Sequence, residues 1–260
     1  MASKGRAWSW DELILVCNLY FSISFGQMHS RNPTVIALAQ ALGRTPGSVA
    51  MKLVNFASLD PAHKARGVSG LSGVSRADRE VWEEFRSKWS ALALESEEKL
   101  SKLLAPPLKG PGKEFAKFPS PRKATTTERS ATVQIRTAQN FFRRVVLAAY
   151  GSKCCVTGIP IPDLLNASHI LPWSAFPEHR IDPRNGLCLA VHFDRAFDCG
   201  LITFSPEMRL VLSSELKGVL PNEAIDREFV YREGVSLRLP ERFAPSEEFL
   251  AYHREKIFLR

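Results

Sequence analysis

The sequence predicts an α+β chain built from two parts, a helical N-terminal part and a C-terminal part that mixes short strands with helices. Three observations carry this prediction. Residues 1–100 repeat apolar side chains at helical spacing. Residues 101–131 hold Ala105-Pro106-Pro107, Lys109-Gly110-Pro111-Gly112-Lys113 and Pro119-Ser120-Pro121-Arg122-Lys123, a Pro and Gly density that breaks helices and strands and reads as a linker. Residues 132–260 turn compact again, with short apolar runs that end in polar residues and turns.

In the helical part, Leu13, Val16, Cys17 and Tyr20 stand at i, i+3, i+4 and i+7, which predicts an amphipathic helix over residues 8–20. Asn32 is a good N-cap and Pro33 suits a first helical position, so a second helix is expected from 33 to 42, closed by Gly43. Thr45 and Pro46 repeat that start signal for a third helix to about 56. A fourth is expected over 76–94, with Val81, Trp82, Phe85 and Trp89 on one side; Trp82 and Trp89 are expected in the core. Ala39, Gly43 and Val49 have the +4 and +6 spacing of a helix-turn-helix: a small residue for close approach, glycine for positive φ, a β-branched residue to pack back. Its second helix would present Ser48, Lys52 and Asn55 on a polar face with Arg44 at its entry, residue types suited to phosphates and base edges.

Charge and apolarity narrow the class. The net charge is +8, and its distribution is uneven: +2 over residues 1–100, +8 over 101–144, −2 over 145–260. Positive charge concentrated in one segment attracts a polyanion, or it solubilises a linker. No stretch approaches the roughly 18 to 20 apolar residues a membrane span needs, and residues 1–10 lack a signal-peptide core, so a cytoplasmic protein is expected. Cys17, Cys154, Cys155, Cys188 and Cys199 are odd in number and show no paired spacing, which fits reduced core residues rather than disulfides.

The stretch 154–202 carries chemistry. Residues 164–170 are a short apolar run ending in Ser168-His169, with Pro172 blocking extension: a strand that delivers one histidine to a loop. Asp182-Pro183-Arg184-Asn185-Gly186 is a turn, and residues 187–197 read as a strand entering a helix. On that helix Asp194 and Asp198 are i, i+4 and share a face, with His192 just before them. Hard oxygen ligands beside a histidine are what Mg²⁺- or Mn²⁺-assisted phosphodiester cleavage requires. Arg180, Arg184 and Arg195 flank this region, suited to phosphates or to a solvated face, and His179 reads as a loop residue.

This ordered set resembles the HNH (ββα-metal) endonuclease family, in its predicted restriction-endonuclease branch. His169-Ile170-x-Pro172 matches the first histidine motif, Asn185-Gly186-Leu187 the central asparagine, and Phe197-Asp198-x-Gly200-Leu201-Ile202 the helix ending. Trp8-Ser9-Trp10-Asp11-Glu12-Leu13, Gly43-Arg44-Thr45-Pro46-Gly47-Ser48-Val49, Asn55-Phe56-x-x-Leu59-Asp60-Pro61 and Tyr252-His253-Arg254-Glu255 also resemble segments around such domains. The resemblance implies a ββα-metal nuclease domain over 132–260, behind a helical DNA-binding domain. It implies that His169 is the general base and that Asp194 and Asp198, then His192, are metal ligands. Asn185 would either ligate the metal or pin the loop that carries His169.

The sequence departs from the family pattern at Ser168, where many relatives carry Asp or His as a ligand, and at Asp194, where others carry histidine nine residues after the asparagine. An oxygen-rich set favours Mg²⁺ or Mn²⁺ over Zn²⁺, and without two Cys-x-x-Cys pairs no structural zinc is expected. Double-stranded DNA is the implied substrate, and a homodimer would cut both strands. Two other readings stand beside this one: a DNA-binding regulator that keeps the fold without cutting, and a nuclease acting on RNA or structured DNA.

Overall fold

The computed structural model describes residues 6–67, 73–104 and 126–260, and of residues 126–133 the backbone alone. The linker span 101–131 therefore lies largely outside the described residues. Contacts divide the chain into two compact units, Met1–Ala148 and Ala149–Arg260.

The first unit is a helical bundle whose starts are written locally. Helix α1 (Trp10–Ser22) opens on a capping box in which the Ser9 hydroxyl accepts from the Glu12 amide and the Glu12 carboxylate accepts from the Ser9 amide. Helix α2 (Pro33–Ala41) is capped by Asn32, whose side chain accepts from Thr34 and Val35. Gly43, at φ +63°, turns the chain into α3 (Pro46–Leu59), which Thr45 caps. A short α4 (Pro61–Ala65) follows.

The single helix expected over 76–94 is two helices, α5 (Arg76–Ser87) and α6 (Trp89–Leu103), because Lys88 leaves helical geometry at φ −122°, ψ 41°. Phe21 is the hub of the aromatic core around this break. It stacks on Trp82 at 5.5 Å, lies 5.3 Å from Phe85 and meets Trp89 edge-on at 4.8 Å. Helix α7 (Thr126–Ala149) begins inside the span read as linker. Its Phe141 lies against Trp89 at 5.8 Å and its Arg144 ion-pairs Glu97, so the end of α7 packs within the helical unit.

The second unit is built on a hairpin and a helix. Strand β1 (Leu165–His169) pairs antiparallel with β2 (Gly186–Ala190) in the register Ala167↔Cys188, His169↔Gly186. Helix α8 (Val191–Asp198) follows β2 directly, burying Phe193, Ala196 and Phe197 and leaving its polar residues outward. A second hairpin, β3 (Ile202–Phe204) with β4 (Leu210–Leu212), supports it. Two short helices, α9 (Ser214–Gly218) and α10 (Glu223–Glu228), and the closing α11 (Glu247–Lys256) complete the unit.

His253 of α11 fixes the end of α8. It is buried, its Nε2 lies 3.0 Å from the Phe197 carbonyl and its Nδ1 3.0 Å from the Thr203 hydroxyl, and its ring stacks on Phe197 at 3.7 Å. The Phe197 carbonyl, in the last turn of α8, already accepts from the Gly200 amide at 2.9 Å and takes His253 as a second partner. Gly200, at φ +70°, passes so close to the Ile257 carbonyl that a Cβ would sit 2.1 Å from it.

Candidate active site

The end of β1 carries His169 into a loop that Asn185 holds shut. Asn185 is 1% exposed. Its Oδ1 accepts from the Leu171 amide at 2.7 Å, its Nδ2 donates to the His179 carbonyl at 3.1 Å, and its own carbonyl accepts from the Ile170 amide at 3.0 Å. One amide side chain therefore ties both ends of the 171–179 loop to the start of β2. Of the two roles open to Asn185, its bonding matches the loop pin, since both side-chain ends are occupied.

That pin also presents the next carbonyl in the chain. His169 Nε2 lies 2.9 Å from the Arg180 oxygen. A carbonyl can only accept, so Nε2 carries the proton and Nδ1 carries the lone pair. Burial holds the His169 pKa below its ordinary value, opposed by the Arg180 hydrogen bond and by the charge of Asp194. The imidazole is therefore neutral near pH 7, in the tautomer a base at Nδ1 needs. Trp173 meets its ring edge-on at 5.2 Å.

Asp194 and Asp198 are one turn apart on α8, and Asn166 of β1 donates to Asp194 Oδ2 at 2.7 Å. Desolvation, then the like charge of Asp194, pushes the Asp198 carboxyl up to about 6, with Arg195 opposing. Asp198 still keeps solvent contact. A carboxyl whose charge is disfavoured, one helical turn from Asp194, which itself acts on the neutral His169, is an arrangement a divalent cation relieves.

His192 does not join them. Two residues along a helix turn the side chain by about 200°, and His192 lies 3.7 Å from Glu228 and against Phe193 and Phe229. Ser168, 3% exposed, has no hydrogen-bond partner for its hydroxyl among the described residues, and it shares a strand face with Asn166. Among the described residues no three His, Cys, Asp or Glu side chains converge as a metal cluster. The donors present are thus two carboxylates with an amide and an orphaned hydroxyl nearby. They fit a hard cation that keeps several of its waters and takes remaining ligands from substrate.

The residues expected to contact DNA divide. Arg184 is paired through Nη2 with Asp182 at 2.7 Å, Arg195 is exposed beside Asp198, and Arg180 lies over the Trp173 ring at 5.0 Å. In the helical unit, Arg44 is buried, and its Nη2 donates to Glu12 at 2.7 Å. Lys52 reaches Asp78 at 2.6 Å, and Asn55, also buried, donates to the same carboxylate at 3.2 Å. Those three side chains brace the bundle, whereas Ser48 is half-buried on α3 and donates to the Thr45 carbonyl. Sequence reasoning missed Asn166, Trp173 and the Arg180 carbonyl; a polar Asn inside an apolar strand run was the one available signal.

A hairpin that delivers a histidine, followed at once by a helix bearing carboxylates, defines a ββα nuclease core. The model of the HNH endonuclease family matches residues 154–205, which span Cys154 through β3 and include His169, Asn185, Asp194 and Asp198. The C-terminal unit therefore contains an HNH endonuclease domain. A solved structure described as a modification-dependent TagI restriction endonuclease is similar over 45% of this chain and 37% of its own length, at 19% identity and a TM-score of 0.34. This likeness thus spans little more than a third of that protein. No curated protein sequence matches the chain. Among the described residues no helix is long and apolar enough to cross a membrane.

Proposed function

We propose that this chain is a metal-dependent endonuclease that hydrolyses phosphodiester bonds of double-stranded DNA. The single observation that carries the reading is His169, held neutral with Nε2 on the Arg180 carbonyl and within the field of Asp194, which shares a helix face with Asp198. His169 Nδ1 takes a proton from the attacking water, and the water oxygen bonds to phosphorus as one P–O ester bond breaks. Asp194 and Asp198 would hold Mg²⁺ or Mn²⁺, which when bound supplies positive charge to the phosphoryl and departing oxygens. Asn166 orients Asp194 through their hydrogen bond, and Asn185 fixes the loop so that the imidazole cannot swing. Two copies on one duplex would cut both strands. A role in restriction or defence against foreign DNA rests on the resemblance of the sequence to that branch.

Ser168, standing where relatives place a ligand, favours a second reading: a DNA-binding protein that keeps the HNH fold without cutting. One experiment separates the two. Purified chain and its His169→Ala variant are incubated with modified and unmodified supercoiled plasmid in Mg²⁺, Mn²⁺ or EDTA. Metal-dependent nicking or linearisation that vanishes in the variant supports the nuclease. Salt-sensitive binding with no cleavage by either protein supports the regulator, and equal cleavage by both removes His169 as the base.

A further inference from the structure

Three arginines flank the site, and their partners separate them. Arg184 spends its charge on Asp182, through Nε at 3.1 Å and Nη2 at 2.7 Å. Arg195 is exposed on α8 near Asp198, and among the described residues no hydrogen bond or aromatic face fixes its guanidinium. Arg180 has no carboxylate partner among the described residues. Its Nε donates to the Trp173 carbonyl at 2.9 Å and its guanidinium lies 5.0 Å from the Trp173 ring centroid. Those two contacts leave both terminal nitrogens without an acceptor among the described residues. A half-buried cation without an anion is costly to desolvate, and a guanidinium fixed on an aromatic face keeps its planar fork for an incoming oxyanion.

The same residue orients the base: its carbonyl accepts the His169 Nε2 proton at 2.9 Å, while Trp173 meets the His169 ring at 5.2 Å. His169, Trp173 and Arg180 are thus one cluster, with each member touching the other two. We propose that Arg180 grips a backbone phosphate of the substrate next to the scissile bond and, through its own carbonyl, ties that grip to the orientation of His169. Substrate engagement and base alignment then depend on one residue, and Trp173 is the platform that keeps its side chain and main chain in register. The inference rests on the nuclease reading of this site and deepens it.

The test uses the full chain. In the His169→Ala background, affinity for a short labelled DNA duplex is measured across a salt series, with and without Arg180→Ala. One lost phosphate contact lowers the slope of log K against log salt by about 0.9, and affinity at low salt is expected to fall roughly tenfold. In the otherwise unaltered chain, Arg180→Ala is expected to lower kcat as well as raise KM for plasmid. Arg180→Lys is expected to restore the salt slope without restoring kcat, because an ammonium lacks the planar fork. An unchanged slope with unchanged cleavage in Arg180→Ala, while His169→Ala is inactive, would overturn the role of Arg180 alone. Full cleavage by His169→Ala would instead remove the base assignment, and this inference with it. Trp173→Phe, which keeps an aromatic face, is expected to weaken kcat less than Arg180→Ala; a larger loss would place the substrate grip on Trp173 instead.

Discussion

The buried charges of the helical unit and the charges around His169 in the second unit are arranged in opposite ways. Arg44, Glu12, Lys52 and Asp78 are buried or nearly so, and each finds an opposite charge: side-chain exposures are 5% and 9% for the first pair, 12% and 0% for the second. Around His169 the charges are left incomplete. Asp194 and Asp198 share a helix face on which only the exposed Arg195 opposes their repulsion among the described residues, and Arg180 rests on an aromatic ring instead of a carboxylate. Paired charges hold a scaffold in one register, whereas charges left unpaired at a cost to folding are ready for a ligand that completes them.

The sharpest way to break this contrast is at the acidic pair. Asp198→Asn is expected to leave the unit as stable or more so, because the desolvation of its charge and the repulsion from Asp194 both disappear. Activity in Mg²⁺ is expected to fall on the order of 10²- to 10³-fold, the cost of weakening charge stabilisation at a metal-assisted transition state. Plasmid cleavage and thermal unfolding measured on one preparation decide it; a variant that loses stability and keeps activity makes Asp198 a structural residue. The converse holds at Arg44. Arg44→Ala leaves the buried Glu12 carboxylate with Arg6 and the Ser9 amide as partners and is expected to cost about 1–3 kcal/mol, while the salt slope of DNA binding stays unchanged. A changed slope with intact stability would return Arg44 to the DNA-contacting surface expected of a helix-turn-helix.

What the sequence made legible follows from range. Caps such as Asn32-Pro33 and Thr45-Pro46 act within one turn, and α2 and α3 start where those residues stand. His169 at a strand end and Asn185 in a turn were legible for the same reason. The break at Lys88 was not, because no glycine or proline marks it. A polar-face reading of α3 sees Lys52 and Asn55 but cannot see Asp78, more than 20 residues away in sequence, which takes both. The carbonyl that sets the His169 tautomer belongs to the backbone and has no residue type to announce it. His192 was separable from Asp194 in principle, since a spacing of two places side chains on opposite faces of a helix.

His253 offers a finer test, because burial rather than its hydrogen bonds keeps its ring neutral. Burial, helped by the charge of Arg254, depresses its pKa to about 4 against an ordinary 6.5, with the Phe197 hydrogen bond opposing. The unfolded chain therefore takes up the proton first. The stability that His253 contributes is complete above pH 6.5 and is lost as pH falls from 6.5 towards 4, by about 2 kcal/mol between pH 7 and pH 5. Denaturant unfolding of the chain and of His253→Gln at both pH values isolates the term. Equal pH dependence in the two proteins would mean that the α8–α11 contact tolerates an imidazolium.

The smallest effect is expected at Arg184, and it matters because Arg184 and Arg180 look alike in sequence. The Arg184 side chain is 60% exposed and forked onto Asp182. Exposed pairs of this kind contribute about 0–1 kcal/mol to stability, and engaging a phosphate would require Arg184 to give up Asp182. Arg184→Ala is thus expected to shift DNA affinity less than Arg180→Ala at every salt concentration. Asp182→Asn, by releasing Arg184, is expected to tighten binding slightly. If Arg184→Ala instead matches or exceeds Arg180→Ala, carboxylate pairing is a poor guide to which charges meet the substrate, and the contrast between the two units loses its meaning for function.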